Sequence, residues 1–297
     1  MFALTRKRRE ILYFYLFASP ALLGFLVLTI GPMATSAIYS FADPKLTGAI
    51  RFVGLQNYHR MFADPLVGHS LLVTAYYTFV GVPIRLLMQL FFAILLNREI
   101  RGINIFRSIL YLPSIVSGVA LALVWMWLLN PAFGLVNYVL WALFHIQGPG
   151  WLLDPQWVIP GLIIMSFWQI GPGIIINLAG LQGIPQELYE AGEIDGATGW
   201  RRFIRITLPL MSPVLFFNLI MGLVGNFQVF TQAYVMTDGG PSNASLFFVL
   251  YLYRNAFQYF KMGYASALAW LLFFVILAMT SVVLKSSPMW VYYEARR

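Results

Sequence analysis

The chain has 297 residues, 60% of them hydrophobic and only 10% charged, with a formal net charge of +8 and no cysteine. A soluble domain carries about 25% charged residues, so a chain this apolar, with a mean hydropathy of +0.76, cannot cover a soluble surface. The missing cysteines exclude disulfides, thiolate metal sites and cysteine nucleophiles. The basic excess sits in short clusters beside apolar runs, not on a folded face, which speaks against a nucleic-acid partner. The composition therefore predicts an all-α polytopic membrane protein forming a single domain over 1–297.

A spanning helix needs about 20 apolar residues. The first such stretch, 11–30, follows Arg6, Lys7, Arg8 and Arg9. It outruns the roughly 7–15 residues of a signal-peptide core, so it reads as an uncleaved span. Pro20 is expected to bend it, and Gly31-Pro32 to close it, with a helical prolongation towards Tyr39. Further spans are predicted over 70–96, 109–129 (ended by Asn130-Pro131) and 158–178. A polar loop over 181–209 separates these from spans over 210–235 and 264–284. Residues 132–145 and 246–260 are apolar but short, and read as two surface helices.

The charges orient these six spans. Arg6–Arg9, Arg98, Arg101, Arg107, Arg201, Arg202, Arg205, Lys285, Arg296 and Arg297 fall on one side. Lys45, Arg51, Arg60, Arg254 and Lys261 fall on the other. The richer side is cytoplasmic by the positive-inside rule, which puts both termini and the polar loop in the cytoplasm.

Several chemistries are missing. All 11 acids lie outside the spans or at their ends, which argues against an ion-coupled secondary carrier with a midplane carboxylate. No lysine follows a glycine, so there is no phosphate-cradling Gly-Lys-Ser/Thr loop; any ATP must be hydrolysed by another polypeptide. The histidines have no ligand-type spacing, no metal site is expected, and no dyad or triad converges, so no catalytic residue is assigned and the chain reads as no enzyme.

The polar stretch from Pro185 to Pro209 carries Glu187, Glu190, Glu193 and Asp195, then Arg201, Arg202 and Arg205. Pro185 suits the start of a helix, and Asp195-Gly196 is a turn signal. Thr198 can cap a second short helix, 199–206, ended by Leu208-Pro209.

The pattern Glu190-Ala191-Gly192, then Gly196, then Ile206-x-Leu208-Pro209 resembles the EAA loop of permease subunits of ABC importers. That pattern is Glu-Ala-Ala, three residues, Gly, nine residues, Ile-x-Leu-Pro; the spacing matches and Gly192 replaces the second alanine. At ~5–10% per residue type, six fixed positions coincide by chance on the order of once in ten million starts. Gly54-Leu55-Gln56-Asn57-Tyr58, Tyr111-Leu112-Pro113, Thr237-Asp238-Gly239-Gly240-Pro241, Ala256-Phe257 and Gly263-Tyr264 resemble further segments of carbohydrate-type permeases. The whole is similar to the first permease of the maltose-type pair, in the compact six-span form.

The resemblance implies a type I ABC importer permease fold in a bacterial or archaeal cytoplasmic membrane. It implies as partners a second homologous permease, two ATPase subunits that bind ATP and magnesium, an extracytoplasmic substrate-binding protein, membrane lipid and a sugar or oligosaccharide. This chain itself holds no cofactor. A glycerol-phosphate-type solute is the alternative within the family. Coupling to the ATPase falls by the same resemblance to Glu190 (charged contact), Ala191 and Gly192 (close approach), Asp195 and Gly196 (turn), and Ile206, Leu208 and Pro209.

For the solute path, Asn218, Gly222, Gly225 and Gln232 recur at helical spacing, with Asn226 at the edge. Gln169, Gly173 and Gly180 do the same on the preceding span, with Asn177 at the edge and Trp168 adjacent. Amides suit sugar hydroxyls and rings suit sugar C–H faces, so Trp125, Trp168, Phe227 and Phe230 join the candidates. The competing reading is that Gly, Asn and Gln bind helix to helix. Arg85 is the one charge inside a span; it either faces partner or pathway or snorkels to the interface.

Overall fold

The computed structural model describes residues 6–44, 50–98 and 100–292. Lys45, Arg296 and Arg297, which contribute to the charge bias, lie outside them. The described chain is predominantly helical and divides into two compact units, Met1–Asp64 with Leu252–Leu272, and Pro65–Tyr251 with Phe273–Arg297.

In the first unit, α1 (Arg6–Phe25) passes through a π turn (Leu26–Ile30) into α2 (Gly31–Ser40). Gly31-Pro32 thus continues the helix, because the wide turn just before it accommodates a residue that cannot donate. A two-stranded antiparallel hairpin follows, β1 (Ala42–Pro44) against β2 (Ile50–Phe52), with Asp43 opposite Arg51. The Gly-Leu-Gln-Asn-Tyr segment enters α3 (Gln56–Ala63). Its Asn57 is buried and donates to the carbonyls of Ser40 at 3.1 Å and Ala42 at 3.0 Å. Tyr58 donates to the Ser40 hydroxyl at 2.8 Å. Gly263 packs so tightly that a Cβ there would overlap the Ala42 carbonyl, and Tyr264 donates to Asp64 at 2.7 Å. Both motifs are therefore parts of one latch on the end of α2.

The second unit begins with α4 (Pro65–Leu96). Next come α5 (Ile103–Tyr111), a 3-10 turn (Leu112–Ile115), α6 (Gly118–Leu128) and α7 (Leu135–Phe144). Then α8 (Val158–Ser166) and α9 (Gly171–Gln182) flank a 3-10 turn (Phe167–Gln169). The polar loop holds α10 (Gln186–Ile194) and α11 (Gly199–Arg202); a π turn (Phe203–Thr207) leads into α12 (Leu208–Phe227). After a π turn (Ala233–Thr237) come α13 (Phe248–Tyr253), a further π turn (Arg254–Gln258) and α14 (Met262–Trp290). The last part of α14 belongs to this unit.

Among the described residues, four helical stretches are long and apolar enough to cross a membrane: Arg6–Ser40, Pro65–Leu96, Gly199–Phe227 and Met262–Trp290. Two predicted spans are broken. The stretch 109–129 bends by 101° where Ile103–Ile115 meets Gly118–Leu128, and 158–178 bends by 51° where Val158–Gln169 meets Gly171–Gln182. Physical causes are at hand: Pro113 cannot donate, and Ser117 restarts the helix by accepting from the Ala120 N–H at 3.4 Å. Pro172 sits in the first turn of α9, where a missing N–H costs nothing.

Two further expectations change. Leu208-Pro209 does not end a helix: a single run continues from Gly199 to Phe227 across a π turn, again just ahead of a proline. The stretch 246–260 is no surface helix at its start, since Leu246, Phe247, Phe248 and Leu250 are fully buried. Phe247 meets Tyr77 edge-on at 5.1 Å, and the Phe248 N–H donates to Thr74 Oγ1 at 2.9 Å.

The core that supports the polar loop lies among α4, α9 and α12: Leu90, Ala93, Leu96, Ile170, Ile174, Leu178, Leu181 and Met211. Small residues let these helices approach. A Cβ at Gly173 would overlap the Gln89 amide, and one at Gly180 would stand 2.8 Å from Val214 and 3.1 Å from the Met211 sulfur.

Candidate coupling loop and polar pocket

The polar loop is built by short-range chemistry. Pro185 precedes the first turn of α10, where Glu187 meets the positive helix end. Asp195 closes the helix and Gly196 takes a left-handed φ of +71°. The Ala197 N–H returns to the Gly192 carbonyl at 2.8 Å and the Gly196 N–H to that of Glu193 at 3.0 Å. These two bonds make a Schellman cap, whose left-handed residue favours glycine.

The loop is then fixed to its base. Tyr189 and Thr207 share a hydrogen bond of 3.0 Å, and Arg202 pairs with Glu193. Gly192 faces inward: a Cβ there would lie 2.9 Å from Ile206 Cδ1. The second-alanine position thus packs on the motif's own isoleucine. Glu190, Ala191, Asp195 and Gly196 are exposed, as is Leu208, while Pro209 is half-buried. Glu190 accepts from Gln186 at 2.9 Å. Ile194 and Trp200, 88% and 70% exposed, leave an apolar edge beside them.

The second feature is a cavity of about 250 Å³ within the same unit, lined by Tyr77, Arg85, Leu162, Met165, Ser166, Gln169, Gly225, Asn226, Val229 and Gln232. Arg85 turns inward, and its Nη2 donates to Asn226 Oδ1 at 2.9 Å. Gly222 makes room for this contact, since a Cβ there would stand 3.0 Å from Val82 and 3.6 Å from Arg85 Nη2. Of the predicted pathway residues, Arg85, Gln169, Asn226 and Gln232 are thus brought together. Gln232 arrives by another route than expected: α12 ends at Phe227, so the predicted span 210–235 is not one helix, and a non-helical turn carries the amide back.

The other candidates lie elsewhere. Asn218 donates to Asn177 at 2.8 Å, and both are buried where α9 and α12 pack. Phe227 is buried against Phe79, with ring centroids 6.1 Å apart. Trp168 is half-exposed and meets Trp125 edge-on at 5.6 Å, while Phe230 stacks on Tyr234. Sequence reading missed Tyr77 and Ser166 in the pocket, and Tyr189 and Thr207 under the loop. A signal for Tyr77 was present, because Tyr77, Gly81, Arg85 and Gln89 recur every four residues on one face of α4.

The family model for the binding-protein-dependent transport system inner membrane component matches residues 69–292. The chain belongs to this family. Both the loop and the pocket fall inside the matched residues, and membership makes the chain a transport component of a membrane permease, not an enzyme. Among relatives, it is 40% identical to the probable ABC transporter permease protein YesP of Bacillus subtilis, over 97% of this chain and 94% of that one. It is 36% identical to the trehalose/maltose transport system permease protein MalF of Thermococcus litoralis, over 94% and 95%. The arabinooligosaccharides transport system permease protein AraP of Bacillus subtilis is 34% identical, over 92% and 88%. A chain of a bacterial ABC transporter for import of alginate has the same fold, with a TM-score of 0.81 at 24% identity over 95% and 96% of the two chains.

Proposed function

We propose that this chain is one of two homologous permease subunits of an ATP-driven importer. The cargo is a sugar or oligosaccharide delivered by an external binding protein. Two ATPase subunits bind ATP and magnesium and act on this chain through the loop 181–209. The observation that carries this reading is the exposed Glu190–Ala191 face of a Schellman-capped helix, tied to the foot of a membrane-length helix. A short helix so capped moves as a body, so closure of the ATPases would be passed to the spans as a rigid displacement. The relatives named for trehalose/maltose and arabinooligosaccharides support a saccharide cargo.

In this reading there are six spans: the four long helices and the two broken pairs. Both termini and the loop are cytoplasmic, by the charge bias. Glu190 makes the charged contact with the ATPase. Arg85, Gln169, Asn226 and Gln232 line the solute path. Asn177, Asn218 and Gly222 act in helix packing, and Trp168 stands as an aromatic surface beside the path.

Reconstitution of the chain with its partner subunits tests this. Saccharide uptake that requires both ATP and this subunit is the expected result. Uptake driven by an ion gradient with no ATPase present overturns it.

A further inference from the structure

Arg85 faces a cavity that contains no acid. A guanidinium keeps its charge even when buried, and an unpaired charge away from water is costly. Its one hydrogen-bond partner among the described residues is the Asn226 amide oxygen, which carries only a partial charge. The second amide atom, Asn226 Nδ2, is buried without a partner. No residue lining the cavity is acidic. The polar part of the site is therefore one cation with the amides of Gln169, Asn226 and Gln232 and the hydroxyls of Ser166 and Tyr77.

We infer that the carried saccharide is acidic, and that Arg85 reads a carboxylate on its sugar rings. The inference rests on the pathway reading above and adds the charge of the cargo. A carboxylate is planar and fits the guanidinium fork through two parallel hydrogen bonds. The amides and the serine are matched to ring hydroxyls, and about 250 Å³ takes one sugar ring at a time. A neutral sugar leaves the cation uncompensated. Sites built around a buried polar group reject analogues that lack its partner more strongly than apolar pockets reject size variants.

The test uses the full complex, with partner subunits and binding protein, in proteoliposomes. Uptake of a uronate disaccharide is compared with its carboxyl-reduced neutral counterpart and with a hexose phosphate. The uronate should enter at least tenfold faster than the other two. Arg85→Gln should cut the acid-to-neutral ratio at least tenfold, and Arg85→Lys less, because it keeps the charge but loses the fork. Gln169→Glu, which adds an acid to the cavity while Arg85 stays, should lower the same ratio. That variant tests whether the cargo is acidic where Arg85→Gln fails to assemble, and Arg85→Lys, which keeps the charge without the fork, tests whether Arg85 itself reads the carboxylate: a merely structural Arg85 would lose acidic and neutral uptake alike. Equal entry of acidic and neutral sugars, preference for the phosphate, or an equal fall of both on Arg85→Gln overturns the inference. ATP-dependent uptake of the neutral sugar alone sinks this inference and leaves the pathway reading standing. If neither saccharide enters while ATP is hydrolysed, both fail.

Discussion

The polar loop and the polar pocket are built by opposite means. The bonds that open and cap α10 join residues within a few positions of each other, with Pro185 before the helix and Gly196 and Ala197 closing it, and even its ties to the next helix, Glu193–Arg202 and Tyr189–Thr207, span only 9 and 18 positions. The pocket draws on α4, α8, α12 and two irregular turns, and its central bond links residues 141 positions apart. Under the proposed function, a loop that presses on an ATPase gains from local bonds that survive movement of the spans, and a solute pocket gains from contacts between elements that can separate.

Substitutions can sharpen this contrast. The largest effect is expected at Gly196. Gly196→Val forces a β-branched residue into the left-handed region, at about 1–2 kcal/mol. Because that strain is local, it should lower coupled ATP hydrolysis and leave the thermal unfolding of the spans in place. Unimpaired coupling would remove the cap from the account. Next comes the amide pair between α9 and α12. Asn218→Ala and Asn177→Ala should each destabilise the spans, with a coupling energy of about 0.6–1.7 kcal/mol in a double-mutant cycle followed by thermal unfolding. A loss of uptake with no coupling energy would return both residues to the solute path.

The loop was legible in the sequence because its signals are local: a proline before the helix, a turn pair after it, and fixed spacing to the next helix. The pocket was legible only in part. Arg85, Gln169, Asn226 and Gln232 were noticed as polar residues in apolar stretches. Helical periodicity grouped Asn218 with Gln232, yet α12 stops at Phe227, and Asn218 instead meets Asn177. The breaks at Ser117 and Ile170 were hidden because hydropathy is continuous across them; only the serine cap and the proline turns mark them. Phe247 and Phe248 read as surface residues for a similar reason. Their partners Tyr77 and Thr74 lie far away in sequence, where no local pattern reaches.

Smaller effects distinguish inward from outward roles in the loop. Arg202→Ala removes a partly exposed ion pair with Glu193 and should cost roughly 0.2–1 kcal/mol. That cost should shrink further in high salt during thermal unfolding. Gly192→Ala should change least. Its Cβ would stand 2.9 Å from the terminal carbon of Ile206, and the small shift this forces offsets a helix-propensity gain of up to about 1 kcal/mol. A tenfold loss of coupled ATP hydrolysis in Gly192→Ala would show that this position faces the ATPase instead of Ile206.

The central claim is that the exposed acid of α10 engages a separate ATPase. Glu190 is solvent-facing and among the described residues bonds only to Gln186, so Glu190→Lys should leave the permease folded. The decisive measurement is co-purification of the ATPase subunits with this chain, followed by saccharide-stimulated ATP hydrolysis. The account predicts that Glu190→Lys weakens both by at least tenfold at unchanged permease yield. Full recovery of the ATPases with undiminished stimulated hydrolysis would contradict it.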